Sequence, residues 1–386
     1  MIETNKIYQG DALEVLKTFP DESINCVMTS PPYWALRDYG NEKQLGLEKT
    51  FDEYINKLCD IFDEVKRVLR KDGTCWVNIG DSYSGNMGKK NGWTDNKLGF
   101  EKQEAIDKGV CLTNKNKFEY SLPQKCLIGI PFRFAIEMIN RGWILRNTII
   151  WYKPNCMPSS VKDRFTTDFE YLFFFVKSKK YWFEQQLEPS LTKGSKHISK
   201  VKDKSSIIKN TVNATYFDRD YITKDMRNKR AVWRITTKPF KESHFAVFPE
   251  ELCETPLKAG CPEFVCNKCG KPREKIIETK SEPTRPAKDV KANEYDPEAK
   301  WIGNGLRNRT IITEANFKGL TDCGCNAGFS GGIALDPFLG SGTLGVVALK
   351  QNKRFIGIEL NPEYIKIAEA RIKPHLSQTK LNKEAV

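Results

Sequence analysis

The first stretch that carries chemical information is Thr29-Ser30-Pro31-Pro32-Tyr33-Trp34, which follows a largely apolar run at residues 24–29. The apolar run predicts a buried strand. Proline donates no backbone hydrogen bond and continues neither a sheet ladder nor a helix, so the chain must turn here. Two interpretations are open: a rigid turn with packed aromatic side chains, or a site that holds a flat ring and fixes its amino group. Residues Ser30–Tyr33 are called the Ser-Pro-Pro-Tyr turn below.

A second candidate site is a glycine-containing turn late in the chain. Residues 333–338 predict a strand, residues 339–343 (Leu-Gly-Ser-Gly-Thr) predict a turn, and a helix is predicted from Leu344. Glycine lets backbone come close to a ligand, and a helix N-terminus presents free N–H groups, so this arrangement is typical of nucleotide-type sites. The sequence is not that of a P-loop, which disfavours a triphosphate ligand. Residues 339–343 are called the glycine turn.

Charged residues stand at the ends of several predicted strands. Asp336 ends the strand before the glycine turn, and Glu359 ends the next strand, 23 residues later. An acidic side chain at about that separation can bind ribose hydroxyls, and a solvated strand end is the alternative for Glu359. Asp81 is either a residue of the site or a helix cap. Lys153 closes another strand, and we predict that it forms part of the wall of the site.

Four of the twelve cysteines form two close pairs. Four thiolates can bind zinc tetrahedrally in a structural site without an open position for chemistry. The pairs are about fifty residues apart, which is longer than in usual zinc ribbons, so free thiols are an alternative, and Cys253 or Cys261 can replace one ligand. A redox dithiol is disfavoured because no thioredoxin-like unit surrounds the pairs. The predicted zinc ligands are Cys266, Cys269, Cys323 and Cys325.

The elements around these motifs alternate between strands and helices. Apolar spacing predicts a helix over residues 51–70, ended by Lys71-Asp72-Gly73, and a strand over residues 74–79. Similar patterns recur along the chain. After the glycine turn they predict a helix, a strand and a second helix. This order predicts an α/β fold with a mostly parallel, doubly wound sheet covered on both faces. Residues 85–120 are polar and rich in Gly and Asn, which predicts a long mobile loop.

Charge and hydropathy restrict the partners of the chain. Its 386 residues carry 62 Lys and Arg against 49 Asp and Glu, a formal net charge of +13. This excess favours a polyanion such as nucleic acid, with simple solubility as the other explanation. The longest apolar run, residues 171–176, is far shorter than the roughly 20 residues that span a bilayer. Residues 1–10 lack the apolar segment of a secretory signal, so we expect a cytoplasmic protein without a membrane partner.

The motifs DPFLGSGT and GIEL, with TSPPYW upstream, together resemble those of the DNA amino-methyltransferases, which modify exocyclic nitrogens of bases. The resemblance implies a Rossmann-like methyltransferase fold, S-adenosylmethionine as cofactor and DNA as substrate. The catalytic motif comes first and the cofactor motif last, which is similar to the circularly permuted order of the beta group. The resemblance covers roughly residues 5–83, 125–182 and 231–370.

The same resemblance implies which residues bind the cofactor. In the family, the glycine strand-turn-helix binds the methionine part and the acidic residue binds the ribose. Residues 244–252 (HFAVFPEEL) are similar to the segment that packs on the methionine end, and Gly10-Asp11 is similar to the strand end that contacts adenine. The implied cofactor-binding residues are Asp11, His244, Phe245, Pro249, Asp336, Pro337, Phe338, Gly340, Ser341, Gly342, Thr343 and Glu359.

The resemblance also favours the second interpretation of the Ser-Pro-Pro-Tyr turn. An exocyclic amine of cytosine or adenine is a poor nucleophile because its lone pair is conjugated with the ring. The Ser30 side chain and the Pro31 carbonyl can accept both N–H bonds, which favours a pyramidal nitrogen that attacks the sulfonium methyl directly. Tyr33 would stack on the base, which must leave the duplex to reach the site. The predicted catalytic residues are Ser30, Pro31, Pro32 and Tyr33.

The resemblance also bears on which base is methylated, and other functions remain as alternatives. Ser-Pro-Pro-Tyr more often resembles N4-cytosine enzymes, and Asp- or Asn-Pro-Pro-Tyr resembles N6-adenine enzymes, so cytosine is favoured and adenine is the alternative. A methyltransferase acting on RNA or on a protein amide is a further hypothesis, and a non-catalytic binding module with a zinc ribbon is another. Double-stranded DNA is the predicted partner, and a cognate restriction endonuclease is a second candidate partner.

The predicted organisation of the chain has three parts. Residues 1–184 form the catalytic half, with the insertion at 85–120. Residues 185–230 form a target-recognition region, in which lysines and arginines beside aromatic residues suit contacts with phosphates and bases. Residues 231–386 form the cofactor-binding half, with a zinc knuckle inserted at 261–326.

Overall fold

The computed structural model of this protein describes the chain in eight stretches. They are residues 2–36, 44–84, 122–190, 196–202, 216–222, 226–238, 248–283 and 311–384. The predicted insertion at residues 85–120 lies outside the described residues. Within the eight stretches, no helix has both the length and the apolar character needed to cross a membrane.

The eight stretches contain sixteen strands and six helices. The strands are β1 (Lys6–Gln9), β2 (Ile24–Thr29), β3 (Leu69–Ile79), β4 (Ile144–Tyr152), β5 (Phe169–Val176), β6 (Leu187–Pro189), β7 (Lys196–Lys202), β8 (Tyr216–Ile222), β9 (Met226–Asn228), β10 (Val232–Arg234), β11 (Val265–Cys266), β12 (Lys275–Pro283), β13 (Ile311–Leu320), β14 (Phe329–Ser330), β15 (Ile333–Asp336) and β16 (Arg354–Glu359). The helices are α1 (Ala12–Lys17), α2 (Phe51–Val68), α3 (Ile130–Asn140), α4 (Glu250–Gly260), α5 (Thr343–Lys350) and α6 (Pro362–Glu384).

These elements divide into two compact units. The first unit comprises residues 1–186, 230–272 and 325–386, and the second comprises residues 187–229 and 273–324. Within its described residues, the second unit is made of antiparallel strand pairs: β6 with β9, β7 with β8, and β12 with β13.

The first unit is built on an eight-stranded sheet with the order β1-β16-β15-β2-β3-β5-β4-β10. Five of its seven neighbouring pairs are parallel, and β5 runs antiparallel to β3 and β4. In the centre, Ala334 of β15 lies opposite Cys26 of β2. The strand before the glycine turn is therefore the neighbour of the strand before the Ser-Pro-Pro-Tyr turn. The predicted mostly parallel α/β sheet is confirmed.

Helices cover both faces of this sheet. Strand β2 is buried at all six positions, as expected for a central parallel strand with apolar neighbours on either side. One hydrophobic cluster joins one face of the sheet to α1, α2 and α3, and a second joins the other face to α4, α5 and α6. The predicted doubly wound arrangement is therefore confirmed.

Apolar spacing correctly predicts helix α2 but not its end. We predicted a stop at Lys71-Asp72-Gly73, whereas α2 ends at Val68 and the following residues through Ile79 form β3. Gly73 is part of β3 and does not end a helix. A Cβ at this position would lie 2.9 Å from the backbone oxygen of Asn25 in β2. The glycine thus permits the close approach of two strands.

Candidate active site

The carboxyl ends of the parallel strands in the first unit surround a cavity of about 770 Å³, called the strand-end cavity below. This edge is where open α/β sheets bind ligands. Both the Ser-Pro-Pro-Tyr turn and the glycine turn contribute to its lining, so the structure brings the two motifs together. The sequence-predicted residues that line it are Asp11, Ser30, Pro31, Pro32, Tyr33, Pro337, Phe338, Gly340, Ser341, Thr343 and Glu359.

The carboxylate of Glu359 closes the glycine turn. Its Oε2 accepts the backbone N–H of Gly340 at 2.8 Å, and its Oε1 accepts the backbone N–H of Asn361 at 2.9 Å. Burial raises the pKa of Glu359 above its ordinary value, and these backbone donors oppose the rise. Each carboxylate oxygen can accept more than one hydrogen bond, so Glu359 retains acceptor capacity for a ligand in the cavity.

The glycine turn depends on the backbone conformation of both glycines. Gly340 has a φ of 53° and Gly342 a φ of 84°, in the left-handed region that favours glycine. A Cβ on Gly342 would lie 2.9 Å from the Cβ of Ala368 in α6. Arg371 of α6 also donates to the carbonyl oxygen and to the Oγ of Ser341, each at 2.7 Å. Helix α6 therefore holds the turn, and Gly342 shapes it without lining the cavity.

The remaining predicted cofactor residues differ in their positions. Asp11 lines the cavity and its side chain caps the N-terminus of α1. Pro249 is the N-cap residue of α4 and does not line the cavity, whereas its neighbour Phe248 does. The predicted contacts of His244 and Phe245 fall outside the described residues.

Asp336 is fully buried and lies behind the cavity rather than in its lining. Its Oδ1 accepts the hydroxyl of Thr29 at 2.5 Å and the backbone N–H of Phe338 at 2.9 Å. Its Oδ2 has no hydrogen-bond partner within the described part of the chain. Burial raises the pKa of Asp336 to about 7. The contacts of this side chain join the ends of β2 and β15, and so fix the two turns relative to each other.

We expect Asp336→Asn to change how stability depends on pH. The folded-state pKa of about 7 lies above the ordinary 3.8, so the folded protein retains a proton that the unfolded chain releases. Between these values the free energy of unfolding of the wild type falls as pH rises, by up to about 1.4 kcal/mol per pH unit. The asparagine does not ionise, so this contribution disappears. Urea denaturation of both proteins from pH 5 to 8 measures the difference; parallel pH profiles would contradict a buried, protonated carboxyl.

Hydrogen bonds hold the side chains of the Ser-Pro-Pro-Tyr turn. The Ser30 hydroxyl lies within donating distance of Oδ1 of Asn78, at 3.3 Å, and of the Tyr33 hydroxyl oxygen, at 3.4 Å. The Tyr33 hydroxyl donates to Oε2 of Glu170 at 2.7 Å. Glu170 also forms an ion pair with Lys153. Burial and then the charge of Glu170 raise the pKa of Tyr33 well above its ordinary value, which keeps the phenol protonated. Because Ser30 acts as the donor in both of its contacts, its oxygen lone pairs remain available to an incoming donor.

The backbone around Tyr33 fixes the position of its ring. The Tyr54 hydroxyl donates to the carbonyl oxygen of Pro32 at 2.9 Å. A Cβ on Gly80 would lie 2.6 Å from Cε2 of Tyr33, and a Cβ on Gly46, which has a φ of 98°, would lie 2.9 Å from the Tyr33 carbonyl oxygen. Both glycines thus leave room for this tyrosine in the wall of the cavity.

Two polar residues of this wall were not predicted from the sequence. They are Asn78 near the end of β3 and Glu170 near the start of β5. The side-chain amide of Asn78 donates to the carbonyl oxygen of Tyr171 at 3.1 Å, which leaves its Oδ1 to accept from Ser30. Asn78 and Glu170 are each a polar residue near one end of an otherwise largely apolar strand, and this pattern could have identified them as candidate site residues. Lys153, which we predicted to be part of the wall, does line the cavity.

Asp81 caps a helix. Its carboxylate accepts the backbone N–H groups of Gly129 and Ile130 at the start of α3, each at 3.0 Å. It is absent from the lining of the strand-end cavity. Of the two interpretations of Asp81, the helix cap is confirmed.

Three of the predicted zinc ligands come together in the first unit. The Sγ atoms of Cys266, Cys269 and Cys325 lie within 4.8 Å of one another, close to the ~3.8 Å between sulfurs in a tetrahedral zinc site with Zn–S bonds of about 2.3 Å. Gly270 follows Cys269 with a φ of 69°, and its N–H donates to the carbonyl oxygen of Cys266 at 3.0 Å. The Cys-x-x-Cys pair thus stands on one tight turn. Cys323 belongs to the second unit, and its role as a ligand stays a prediction.

Comparison with known proteins identifies relatives over nearly the whole chain. A family model described as DNA methylase, for N6 and N4 methyltransferases, matches residues 24–370, which include both turns. The type II methyltransferase M.SmaI of Serratia marcescens is 34% identical over 367 residues, which cover 95% of this chain and 90% of that protein. The type II methyltransferase M.Cfr9I of Citrobacter freundii is 33% identical over 366 residues, covering 95% and 87%.

Solved structures are similar at lower identity. The PvuII DNA methyltransferase, which is cytosine-N4-specific, has 18% identity and a TM-score of 0.49, covering 98% of this chain and 93% of that one. TTHA0409 of Thermus thermophilus, solved with S-adenosyl-L-methionine, has 18% identity and a TM-score of 0.47, covering 96% and 93%. The match to the family model and the identity to its type II relatives show that this protein belongs to the DNA methylase family of N6 and N4 amino-methyltransferases.

Proposed function

We propose that this protein is a type II, site-specific DNA methyltransferase that transfers a methyl group from S-adenosylmethionine to N4 of a cytosine extruded from the duplex. The observation that carries the proposal is the strand-end cavity, which the glycine turn and the Ser-Pro-Pro-Tyr turn both line. About a third of the residues are identical to those of the type II methyltransferases M.SmaI and M.Cfr9I, which supports the assignment to type II.

The residues around the glycine turn fit S-adenosylmethionine. The cavity, at about 770 Å³, is within the usual range for small-molecule sites of roughly 300–1,000 Å³. Glu359 offers partly buried carboxylate oxygens to ribose hydroxyls, and Asp11 offers an acceptor for the adenine amine. Gly340 and Ser341, before the N-terminus of α5, suit the methionine carboxylate. When bound, the cofactor supplies an electrophilic methyl group on a sulfonium.

The chain's own residues prepare the target amine. Ser30 Oγ and the carbonyl oxygen of Pro31 accept its two N–H bonds, and the donor role of Ser30 toward Asn78 or Tyr33 leaves the serine lone pairs for this task. Holding both hydrogens reduces conjugation of the nitrogen lone pair and directs it at the methyl group. Tyr33, held by Glu170, presents its ring to the base. No covalent intermediate with the protein is required.

Ser30 is the reason for preferring cytosine to adenine as the target. The Ser-Pro-Pro-Tyr sequence is the form that more often resembles N4-cytosine enzymes, whereas an acid or amide at this position more often resembles N6-adenine enzymes. The two reactions use nearly the same chemistry, so N6 of adenine is the second candidate. Methylation of RNA or of a protein amide is the remaining alternative.

We assign sequence reading to residues 185–230. Nearly all of this region lies in the second unit, where β7 (KHISKVK) pairs with β8 (YFDRDYI). The sequence of residues 185–230 has lysines and arginines beside aromatic residues, a composition that suits contacts with phosphates and bases. A type II methyltransferase protects the site that a matching endonuclease cuts, so the proposed genetic partner is a restriction endonuclease with the same recognition sequence.

Transfer of labelled methyl groups separates these possibilities. The purified protein is incubated with tritiated S-adenosylmethionine and with plasmid DNA, total RNA or a protein extract. Methylated DNA is then digested to nucleosides and analysed by mass spectrometry. We expect N4-methyldeoxycytidine. N6-methyldeoxyadenosine would move the assignment to adenine, and label in RNA or protein but in no DNA would reject the proposed function.

We further propose that Cys266, Cys269, Cys323 and Cys325 bind one structural zinc ion. The purified protein is expected to contain about one zinc per chain by elemental mass spectrometry. Cys269→Ser should lose the metal and lower the melting temperature, because three ligands hold zinc more weakly than four. Cys126→Ser, at a cysteine outside the cluster, should keep it. Zinc retained in Cys269→Ser, or absent from the wild type, would contradict the site.

A further inference from the structure

The loop between β4 and β5, residues 153–168, holds two large apolar side chains almost entirely in solvent. Phe165 is 97% exposed and Met157 is 88% exposed. Every residue from 157 to 167 is exposed. Single exposed apolar residues are common on protein surfaces, but two long apolar side chains on one projecting loop indicate a surface that is covered when a partner binds.

The base of this loop borders the strand-end cavity. Lys153, its first residue, lines the cavity, and so do Thr237 and Lys238. The side-chain amide of Asn155 donates to the carbonyl oxygen of Thr237 at 2.8 Å and accepts the backbone N–H of Thr237 at 2.9 Å. The N–H of Lys153 donates to the carbonyl oxygen of Asp168 at 2.7 Å, which closes the loop. The base of the loop therefore lies beside the strand-end cavity.

The two residues before Phe165 contact other parts of the first unit. Asp163 pairs with Lys125 at 2.6 Å, and the guanidinium carbon of Arg164 lies 3.5 Å from the centroid of the Tyr83 ring. Both contacts are made by exposed side chains, and neither covers the Phe165 ring. A ring that is exposed in the free protein can enter a partner without breaking contacts within the protein.

We propose that Phe165, together with Met157, enters double-stranded DNA at the target position and occupies the space that the extruded cytosine leaves. The inference rests on the proposed function, since only an enzyme that extrudes a base creates such a space. Phenylalanine and methionine are among the side chains that proteins insert between base steps. The inserted ring replaces stacking lost by the neighbouring bases and so lowers the cost of extrusion. Lys162, in the same exposed run, suits a phosphate contact beside it.

The test compares Phe165→Ala with the wild type on two duplexes that contain the methylation site mapped in plasmid DNA. In one duplex the target cytosine is paired, and in the other it lies opposite a mismatched base that already weakens its stacking. We expect Phe165→Ala to lose roughly 10- to 100-fold in kcat/KM on the paired duplex and no more than a few-fold on the mismatched one. Phe165→Trp should keep most of the activity on both.

Ile136→Ala provides a matched surface control, because Ile136 is 59% exposed on α3 and outside the cavity lining. It should behave as wild type on both duplexes. A second measurement places 2-aminopurine at the target position, whose fluorescence rises when the base leaves the stack; the rise should shrink in Phe165→Ala. Equal losses on both duplexes, or no loss on either, would overturn the role of Phe165. A wild type inactive on every DNA would instead reject the proposed function.

Discussion

Replacement of Ser30 by alanine should lower the rate of methyl transfer by roughly 100-fold or more, the effect typical of losing one hydrogen-bonding group that acts on the reacting atoms. Ser30 lines the strand-end cavity, and its hydroxyl is the donor toward Asn78 and Tyr33. Alanine removes one of the two acceptors for the amine, so the nitrogen lone pair remains conjugated with the ring. Single-turnover transfer to duplex DNA at saturating cofactor measures this rate.

The affinity of the Ser30→Ala protein for S-adenosylmethionine, measured by calorimetry, should stay within about twofold of the wild type, because Ser30 is not part of the glycine turn. Ser23→Ala is the matched control, since the Ser23 hydroxyl donates to the carbonyl oxygen of Pro20 at 2.7 Å, away from the cavity lining. It should transfer methyl groups at the wild-type rate. A Ser30→Ala enzyme within threefold of wild type would contradict the assigned role.

Glu359→Gln should weaken S-adenosylmethionine binding by roughly 10- to 100-fold, the loss expected from one or two hydrogen bonds to a charged group. The carboxylate accepts N–H groups from both Gly340 and Asn361. In glutamine one of the two acceptor oxygens becomes an NH₂ group, which meets a backbone donor instead of accepting from it. The glycine turn loosens, and a ribose contact is lost with it. Isothermal calorimetry with S-adenosylhomocysteine measures the affinity.

A neighbouring glutamate supplies the control. Glu363, in the first turn of α6, forms an exposed ion pair with Lys366, and such pairs contribute little to stability. Glu363→Gln should bind cofactor as wild type does. Duplex DNA binding by Glu359→Gln, measured by fluorescence anisotropy, should also be unchanged. Wild-type cofactor affinity in Glu359→Gln would contradict the assignment of Glu359 to the cofactor site. An equal loss of affinity in Glu359→Gln and Glu363→Gln would contradict it as well.

The sequence allowed the main architecture to be predicted because its signals are local. Alternating apolar elements predict a parallel sheet, and strand ends at one edge of such a sheet must share a crevice. That rule correctly placed the Ser-Pro-Pro-Tyr turn and Glu359 in one cavity. The two helical layers were predicted from the alternating order of strands and helices, and the burial of all six residues of β2 agrees with them.

The details that were missed depend on contacts between residues distant in the chain. Asn78 and Glu170 support the Ser-Pro-Pro-Tyr turn only because β3 and β5 are neighbours in the sheet, and no local pattern reveals that pairing. A Cβ on Gly342 would meet Ala368 of α6, so this glycine permits α6 to pack on the turn, and its contact with the cofactor stays a prediction. Asp336, in the same motif, joins two strands from the buried side. These packing roles involve partners that are distant in the chain, which the motif itself does not reveal.

The central claim is that the methyl donor and the extruded base share the strand-end cavity. A crystal structure of the protein with S-adenosylhomocysteine and a duplex that contains the mapped site tests this most directly. We predict the cofactor at the glycine turn, with its ribose on Glu359, and the target cytosine with its amino nitrogen within hydrogen-bond distance of Ser30 Oγ. A cytosine still stacked in the duplex, or the cofactor bound outside the cavity that Ser30 lines, would contradict the account.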